Sequence, residues 1–150
     1  MSSYRQNFYH IIIGTKSSER VIPDKYCLEL HKYIWGFTKN KNCKLYQING
    51  TEDHIHILTD IHPSISLADF IKGLKRAAGD WLKEHPEVRN FKGWRSGYGS
   101  FTVSFKEKSA VIQYIKNQKA HHRKESFYDE YKKLLDEHGV SFDEKYMLGD

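Results

Sequence analysis

Apolar and polar positions change their period several times along this chain, and each change marks an element. Residues 8–14, Phe8 to Gly14, carry three adjacent isoleucines, Ile11, Ile12 and Ile13. A short apolar run of that kind predicts a central strand buried on both faces. Thr15 to Ile22 is polar and reads as a loop. Pro23 and Asp24 mark a helix start, with Asp24 as the candidate N-cap. Tyr26, Leu30, Tyr33, Ile34 and Phe37 recur at helical spacing and predict a helix over 24–39. A turn at 39–42 leads to a second strand over 43–50. The short connection from Gly50 to Asp53 predicts an antiparallel hairpin with a third strand over 54–60.

Pro63 ends that strand. Ser66 caps a helix running to about Glu84, whose apolar face is Leu67, Phe70, Ile71, Leu74, Ala77, Ala78, Trp81 and Leu82. His85 to Tyr98 is irregular. Residues 99–105 alternate and predict a fourth strand. From Ser109 the period is helical again through Val111, Ile112, Ile115 and Gln118, with a break at Lys124–Ser126. Ser126 caps a last helix carrying Phe127, Tyr131, Leu134 and Leu135, which ends at His138-Gly139. The order β-α-β-β-α-β followed by two helices predicts an α+β, ferredoxin-like (split βαβ) fold: a four-stranded antiparallel sheet with two helices on one face. The third strand is central in that topology. Ile55 and Ile57 then face the helices, and His54 and His56 face the open side.

Length adds that residues 1–150 form a single domain with enough chain for a core. Charge adds a direction. The chain has net charge +5, but residues 66–124 hold thirteen basic and five acidic residues, net +8, while residues 125–150 hold three and eight, net −5. The middle of the chain is therefore the candidate polyanion surface. The 14% aromatic content suits stacking on unpaired bases as well as core packing. No apolar run approaches the roughly 20 residues of a membrane span. Cys27 and Cys43 have no metal or redox spacing and read as reduced thiols of a cytoplasmic protein with no membrane partner.

The candidate chemistry lies in two stretches. Asp53-His54-Ile55-His56-Ile57-Leu58 puts two imidazoles on one face of a strand, roughly 7 Å apart at Cα, where they can converge on one divalent cation. With nine histidines in 150 residues about half such a pair is expected by chance, so the motif alone is also consistent with two solvent-facing side chains. Tyr114-Ile115-Lys116-Asn117-Gln118 puts a phenol and an amide oxygen one helical turn apart. Together the stretches supply a metal site and a nucleophile for attack on a phosphodiester.

These residues resemble a known family. Asp53 to Leu58 is similar to the His-hydrophobic-His box of the HUH endonucleases. Tyr114 to His122 resembles the nucleophile helix of the single-tyrosine transposases of the insertion sequence 200/605 group. Tyr9-His10-Ile11 through Thr15-Lys16, Gly97 through Ser104, Ser126-Phe127 with Glu130, and the ending from Leu134 to Tyr146 fit the same family in the same order. The resemblance implies a transposase acting on single-stranded DNA, with hairpin recognition at element ends and no nucleotide cofactor. It implies that His54, His56 and Gln118 ligate a divalent metal, Mg²⁺ or Mn²⁺, and that Tyr114 attacks phosphorus to leave a 5′-phosphotyrosine. It also implies a homodimer whose active sites are shared between chains or complete within each.

Lys72, Lys75 and Arg76 are the best candidates for a DNA backbone contact, followed by Arg95 and Lys106. His10, beside the third strand, and His121 and His122, beyond Gln118, are candidates to support the metal ligands. Three alternatives stay open. A basic, aromatic ferredoxin-like sheet also describes RNA-binding modules, although these present aromatics where this strand presents histidines. A domesticated relative would bind or nick hairpin DNA without transposing. A metal-dependent hydrolase would use water in place of Tyr114.

Overall fold

The computed structural model describes residues 3–149. Strands β1 (Phe8–Gly14), β2 (Lys44–Gly50), β3 (His54–Asp60) and β4 (Gly99–Val103) form one antiparallel sheet in the order β2-β3-β1-β4. Helix α1 (Cys27–Asn40) joins β1 to β2, and α2 (Leu67–Lys83) joins β3 to β4. This is the expected ferredoxin-like succession, with the histidine strand in the interior of the sheet.

Strand alternation decides what each face carries. Tyr9, Ile11, Ile13, Ile55 and Ile57 turn to one face and pack with Leu30 and Ile34 of α1 and with Phe70, Ile71 and Leu74 of α2. A register shift between Leu45 and Gln47 bends β2 so that Leu45 and Ile48 both reach this core.

The opposite face is covered, which corrects the expectation of an open side. Helices α3 (Lys108–Lys116), α4 (Gln118–His121) and α5 (Phe127–Glu137) follow β4. Ile12 and Phe101 pack with Phe127, Leu134 and Leu135 of α5, and Phe8, Leu58 and Val103 pack with Ile115 of α3. The even-numbered positions of β1 and β3 are thus as apolar as the odd ones, apart from histidines. They give the amphipathic C-terminal helices a surface on which to bury their own apolar side. His54 and His56 lie inside this second core with 0% exposure.

Three boundaries differ from the sequence expectation. The helix expected from Ser109 past Gln118 is two pieces, because Asn117 sits between them at φ −91 and ψ 10. Strand β4 stops at Val103, where a reciprocal pair takes over: Ser104 N–H donates to Glu107 Oε1 at 3.1 Å and Glu107 N–H donates to Ser104 Oγ at 3.3 Å. That reciprocal pair closes a turn that leads into the next helix. Asp24 does not cap α1, which begins at Cys27 after a 3₁₀ turn over Asp24–Tyr26. Its carboxylate instead accepts from Lys119 Nζ at 2.5 Å, tying this turn to α4. Ser66 and Ser126 do cap α2 and α5, accepting from the N–H groups of Asp69 and Asp129 at 3.0 and 3.1 Å. Among the described residues no helix is long and apolar enough to cross a membrane.

Candidate active site

Strand β3 supplies the floor of the site. His54 pairs with Gly14 and His56 with Ile12 across the sheet, so both imidazoles rise from its middle. Each is held by its Nδ1. Asp53 Oδ1 lies 2.6 Å from His54 Nδ1 and also accepts from Thr51 Oγ1 at 2.8 Å. His10, the neighbour on β1, puts its Nε2 2.8 Å from His56 Nδ1. Phe127 stacks on His54 with ring centroids 4.1 Å apart. Gly14 makes room for that ring, since a Cβ there would fall 3.1 Å from it. With Nδ1 occupied, His54 and His56 both turn Nε2 toward the C-terminal helices.

Those helices close the site from above. Gln118 is fully buried; its Oε1 lies 3.0 Å from His54 Nε2 and its Nε2 donates to Glu130 Oε2 at 2.8 Å. Glu130, on α5 and 1% exposed, sits at the centre. Its Oε1 lies 3.0 Å from His56 Nε2, 3.5 Å from His54 Nε2 and 2.8 Å from His122 Nε2. Its Oε2 accepts from the Tyr114 hydroxyl and from Gln118. His122 is fixed in turn by its Nδ1, 2.7 Å from the Glu125 carbonyl oxygen. Although Asn117 interrupts the helix, Tyr114 and Gln118 still reach the same carboxylate.

Burial and pairing split the charges unevenly. Burial opposes charge on His54, but the hydrogen bonds to Asp53 and Glu130 prevail and raise its pKa to about 9. At His56 burial wins over the Glu130 contact, and the pKa falls to about 4. Burial, with His56 alongside, also holds His10 well below the usual imidazole range. Burial opposes the Glu130 anion as well, yet hydrogen bonds to His122, His54 and His56 keep its carboxyl far below the ordinary range. Burial and the Glu130 charge push the Tyr114 phenol well above its ordinary value, so it stays protonated at neutral pH. The donor atoms of His54, His56, His122 and Glu130 all lie within 4.8 Å of one another. Three imidazoles and a carboxylate at that spacing fit a divalent ion.

The remaining sequence candidates fall in three places. His10 touches His56 as described. His121 lies beside the site, its Nε2 2.7 Å from Glu125 Oε2. Lys72 and Arg76 are exposed one turn apart on α2, and Lys106 is exposed after β4. Lys75 and Arg95, also candidates for DNA contact, are engaged within the protein. The Lys75 ammonium donates to the carbonyls of Arg95, Ser96 and Gly97 at 2.7, 3.2 and 3.2 Å. Arg95 is 7% exposed, and its guanidinium donates to Ser18 Oγ. Both brace the irregular 85–98 segment against the body of the protein. A cleft of 330 Å³ lined by Arg20, Asp53, Lys119, His122, Arg123 and Phe127 adjoins the outer side of the histidine cluster.

Sequence reasoning left Glu130 out of the site and kept His122 only as a supporting residue. Glu130 belongs to an acidic tail and looks there like one more solvated charge; its one signal was its place in the resemblance.

A ferredoxin-like sheet with a buried histidine strand, facing a tyrosine on a following helix, defines the class of architecture, and the comparisons with known proteins place it among transposases. Residues 3–118 match the family described as "Transposase IS200 like", and the chain belongs to that family. The transposase for insertion sequence element IS200 of Salmonella typhimurium is 27% identical over 115 residues, covering 73% of this chain and 75% of that protein. The ISDra2 transposase TnpA of Deinococcus radiodurans is 25% identical over 115 residues, covering 73% and 82%. Among solved structures, a putative transposase from Deinococcus radiodurans superposes with a TM-score of 0.58 at 26% identity, covering 79% of this chain and 95% of that one. A REP-associated tyrosine transposase bound to a REP hairpin gives a TM-score of 0.58 at 12% identity, covering 81% and 74%, and so shares the fold.

Proposed function

We propose that this transposase cleaves and rejoins single-stranded DNA through a covalent link to Tyr114, at hairpin-bearing ends of a mobile element. The observation that carries the reading is the convergence of the Tyr114 hydroxyl and the histidines of β3 on one buried carboxylate. Among the described residues, the Tyr114 hydroxyl is the one that bonds to the Glu130 carboxylate. Its hydrogen already points at Glu130 Oε2, so the acceptor for the proton is in place. In the step proposed, Tyr114 Oη bonds to phosphorus as the P–O3′ bond breaks. The phenolic proton passes to Glu130, and the leaving 3′-oxygen takes a proton from solvent and ends as a hydroxyl. The new phosphotyrosine keeps the phosphodiester bond energy, so a second 3′-hydroxyl reverses the attack and joins strands without a nucleotide cofactor.

A divalent ion held by His54 and His56, with the Gln118 oxygen beside them, would polarise the scissile phosphate and offset charge in the transition state. Asp53 and His10 fix the ring orientations that point both Nε2 atoms at this place. All these side chains come from one chain, so the reading needs no tyrosine from a partner. Exposed Lys72, Arg76 and Lys106 are the proposed contacts to the DNA backbone, in keeping with the basic middle of the chain. The hairpin in the structural neighbour's complex supports hairpin DNA as the partner.

The test uses labelled single-stranded oligonucleotides from the DNA flanking the gene, hairpins included, with Mg²⁺ or Mn²⁺. A protein–DNA band that survives denaturation is expected with the wild-type protein and absent with Tyr114→Phe, which should still shift the hairpin on a native gel. Cleavage that survives Tyr114→Phe would make water the nucleophile and overturn the reading.

A further inference from the structure

We propose that His122 and Glu130 are ligands of the same divalent ion as His54 and His56, so that the centre is built from three imidazoles and a carboxylate. The inference rests on the reading above only in taking the histidine strand to hold a metal. It adds two ligands from the C-terminal helical segment, and with them a preference among metals.

The argument starts from the far side of each ring. An imidazole that binds a metal through Nε2 commonly donates its Nδ1 hydrogen to a fixed partner, which sets the tautomer and the ring direction. All three rings have an Nδ1 partner. His54 has Asp53 Oδ1 at 2.6 Å, His56 has His10 Nε2 at 2.8 Å, and His122 has the Glu125 carbonyl at 2.7 Å. All three Nε2 atoms therefore point inward, to within 3.5 Å of the single oxygen Glu130 Oε1. The four donor atoms lie within 4.8 Å of one another. Bonds of about 2.0–2.2 Å to one ion place opposite ligands about 4.0–4.4 Å apart, so shifts of tenths of an ångström complete the shell.

Glu130 also divides its oxygens. Oε1 faces the imidazoles, while Oε2 faces the Tyr114 hydroxyl and the Gln118 amide. One carboxylate thus ties the metal side of the site to the nucleophile. Three nitrogen donors suit Mn²⁺ and the later divalent transition ions better than Mg²⁺, which favours oxygen ligands and retained water.

The experiment measures Mn²⁺ and Mg²⁺ binding to the full chain by calorimetry, without DNA, so that it is independent of strand cleavage. Wild type should bind Mn²⁺ more tightly than Mg²⁺. Glu130→Gln and His122→Ala should each weaken Mn²⁺ binding roughly tenfold or more. Wild-type or tighter Mn²⁺ binding by a folded Glu130→Gln would show that the carboxylate competes with the ion, and would overturn the proposal. Pulsed electron paramagnetic resonance of Mn²⁺ on the wild-type protein needs no variant. Three coupled imidazole nitrogens are expected; two would overturn it, as would no binding. A covalent DNA adduct formed beside a two-nitrogen spectrum would leave the transposase reading standing and remove only this one.

Discussion

At the residue scale, the site is a buried polar network whose members stabilise one another, and its variants should behave accordingly. His56 was expected to face solvent, where removal would leave the fold intact. It has 0% exposure and bridges His10 to Glu130. His56→Ala removes two buried hydrogen bonds and leaves a buried carboxylate with one partner fewer, so about 2–4 kcal/mol of stability should be lost. Chemical denaturation checks this; an unchanged midpoint would mean that the cluster is wet rather than sealed. The titration of the histidines predicts a pH profile for the metal-free protein. His54, raised to about 9, contributes stability in full below its unfolded value of about 6.5 and loses it as pH climbs through about 9. His56 and His31, depressed to about 4 with burial the main cause, act in the opposite sense: below about 6.5 the unfolded chain takes up protons that the folded chain refuses. Melting temperature should therefore peak between about pH 6 and 7. A melting temperature that climbs steadily to pH 9 would contradict the charge assignment of His54.

At the element scale, the parts legible in the sequence were those with a strong period. The isoleucines of β1, the alternation of β3 and the apolar stripe of α2 each have one geometric solution, and Ser66 and Ser126 signal their helix starts through a side chain that accepts a backbone N–H. The covered face was not legible. Ile115, Phe127, Leu134 and Leu135 show that the C-terminal helices bury one side, but nothing local says which surface they bury it on. Glu130 was lost for the same reason: on α5 it reads as solvated until that helix is laid across the histidines. The break at Asn117 was hidden because Tyr114 and Gln118 keep helical spacing in sequence. Since α5 carries Glu130 into the site, its cap matters beyond the helix itself. Ser126→Ala should cost about 1 kcal/mol, read as a lower thermal midpoint. An unchanged midpoint would mean that packing of Phe127, Leu134 and Leu135 alone fixes the helix.

At the scale of the whole molecule, the sheet separates two tasks. One face packs α1 and α2 into the main core; the other buries the histidine cluster beneath α3, α4 and α5. The basic excess of residues 66–124 is divided between α2 on the first face and the segment from β4 through α4 on the second, and the acidic excess of residues 125–150 supplies Glu130 within the second. If Lys72, Arg76 and Lys106 meet the DNA backbone, replacing each by Ala should weaken hairpin binding for every sequence tested and reduce the slope of log K against log salt by about one. Lys75→Ala should instead lower thermal stability, because its ammonium holds the carbonyls of residues 95–97. The central claim is that Tyr114, above the histidine cluster, carries the DNA during reaction. The most direct measurement is to trap the protein–DNA adduct formed with a hairpin oligonucleotide, digest it with protease and locate the nucleotide-bearing residue by mass spectrometry. A 5′-phosphate on Tyr114 is the expected result; the nucleotide on any other residue, or cleaved DNA with no modified peptide, would contradict it.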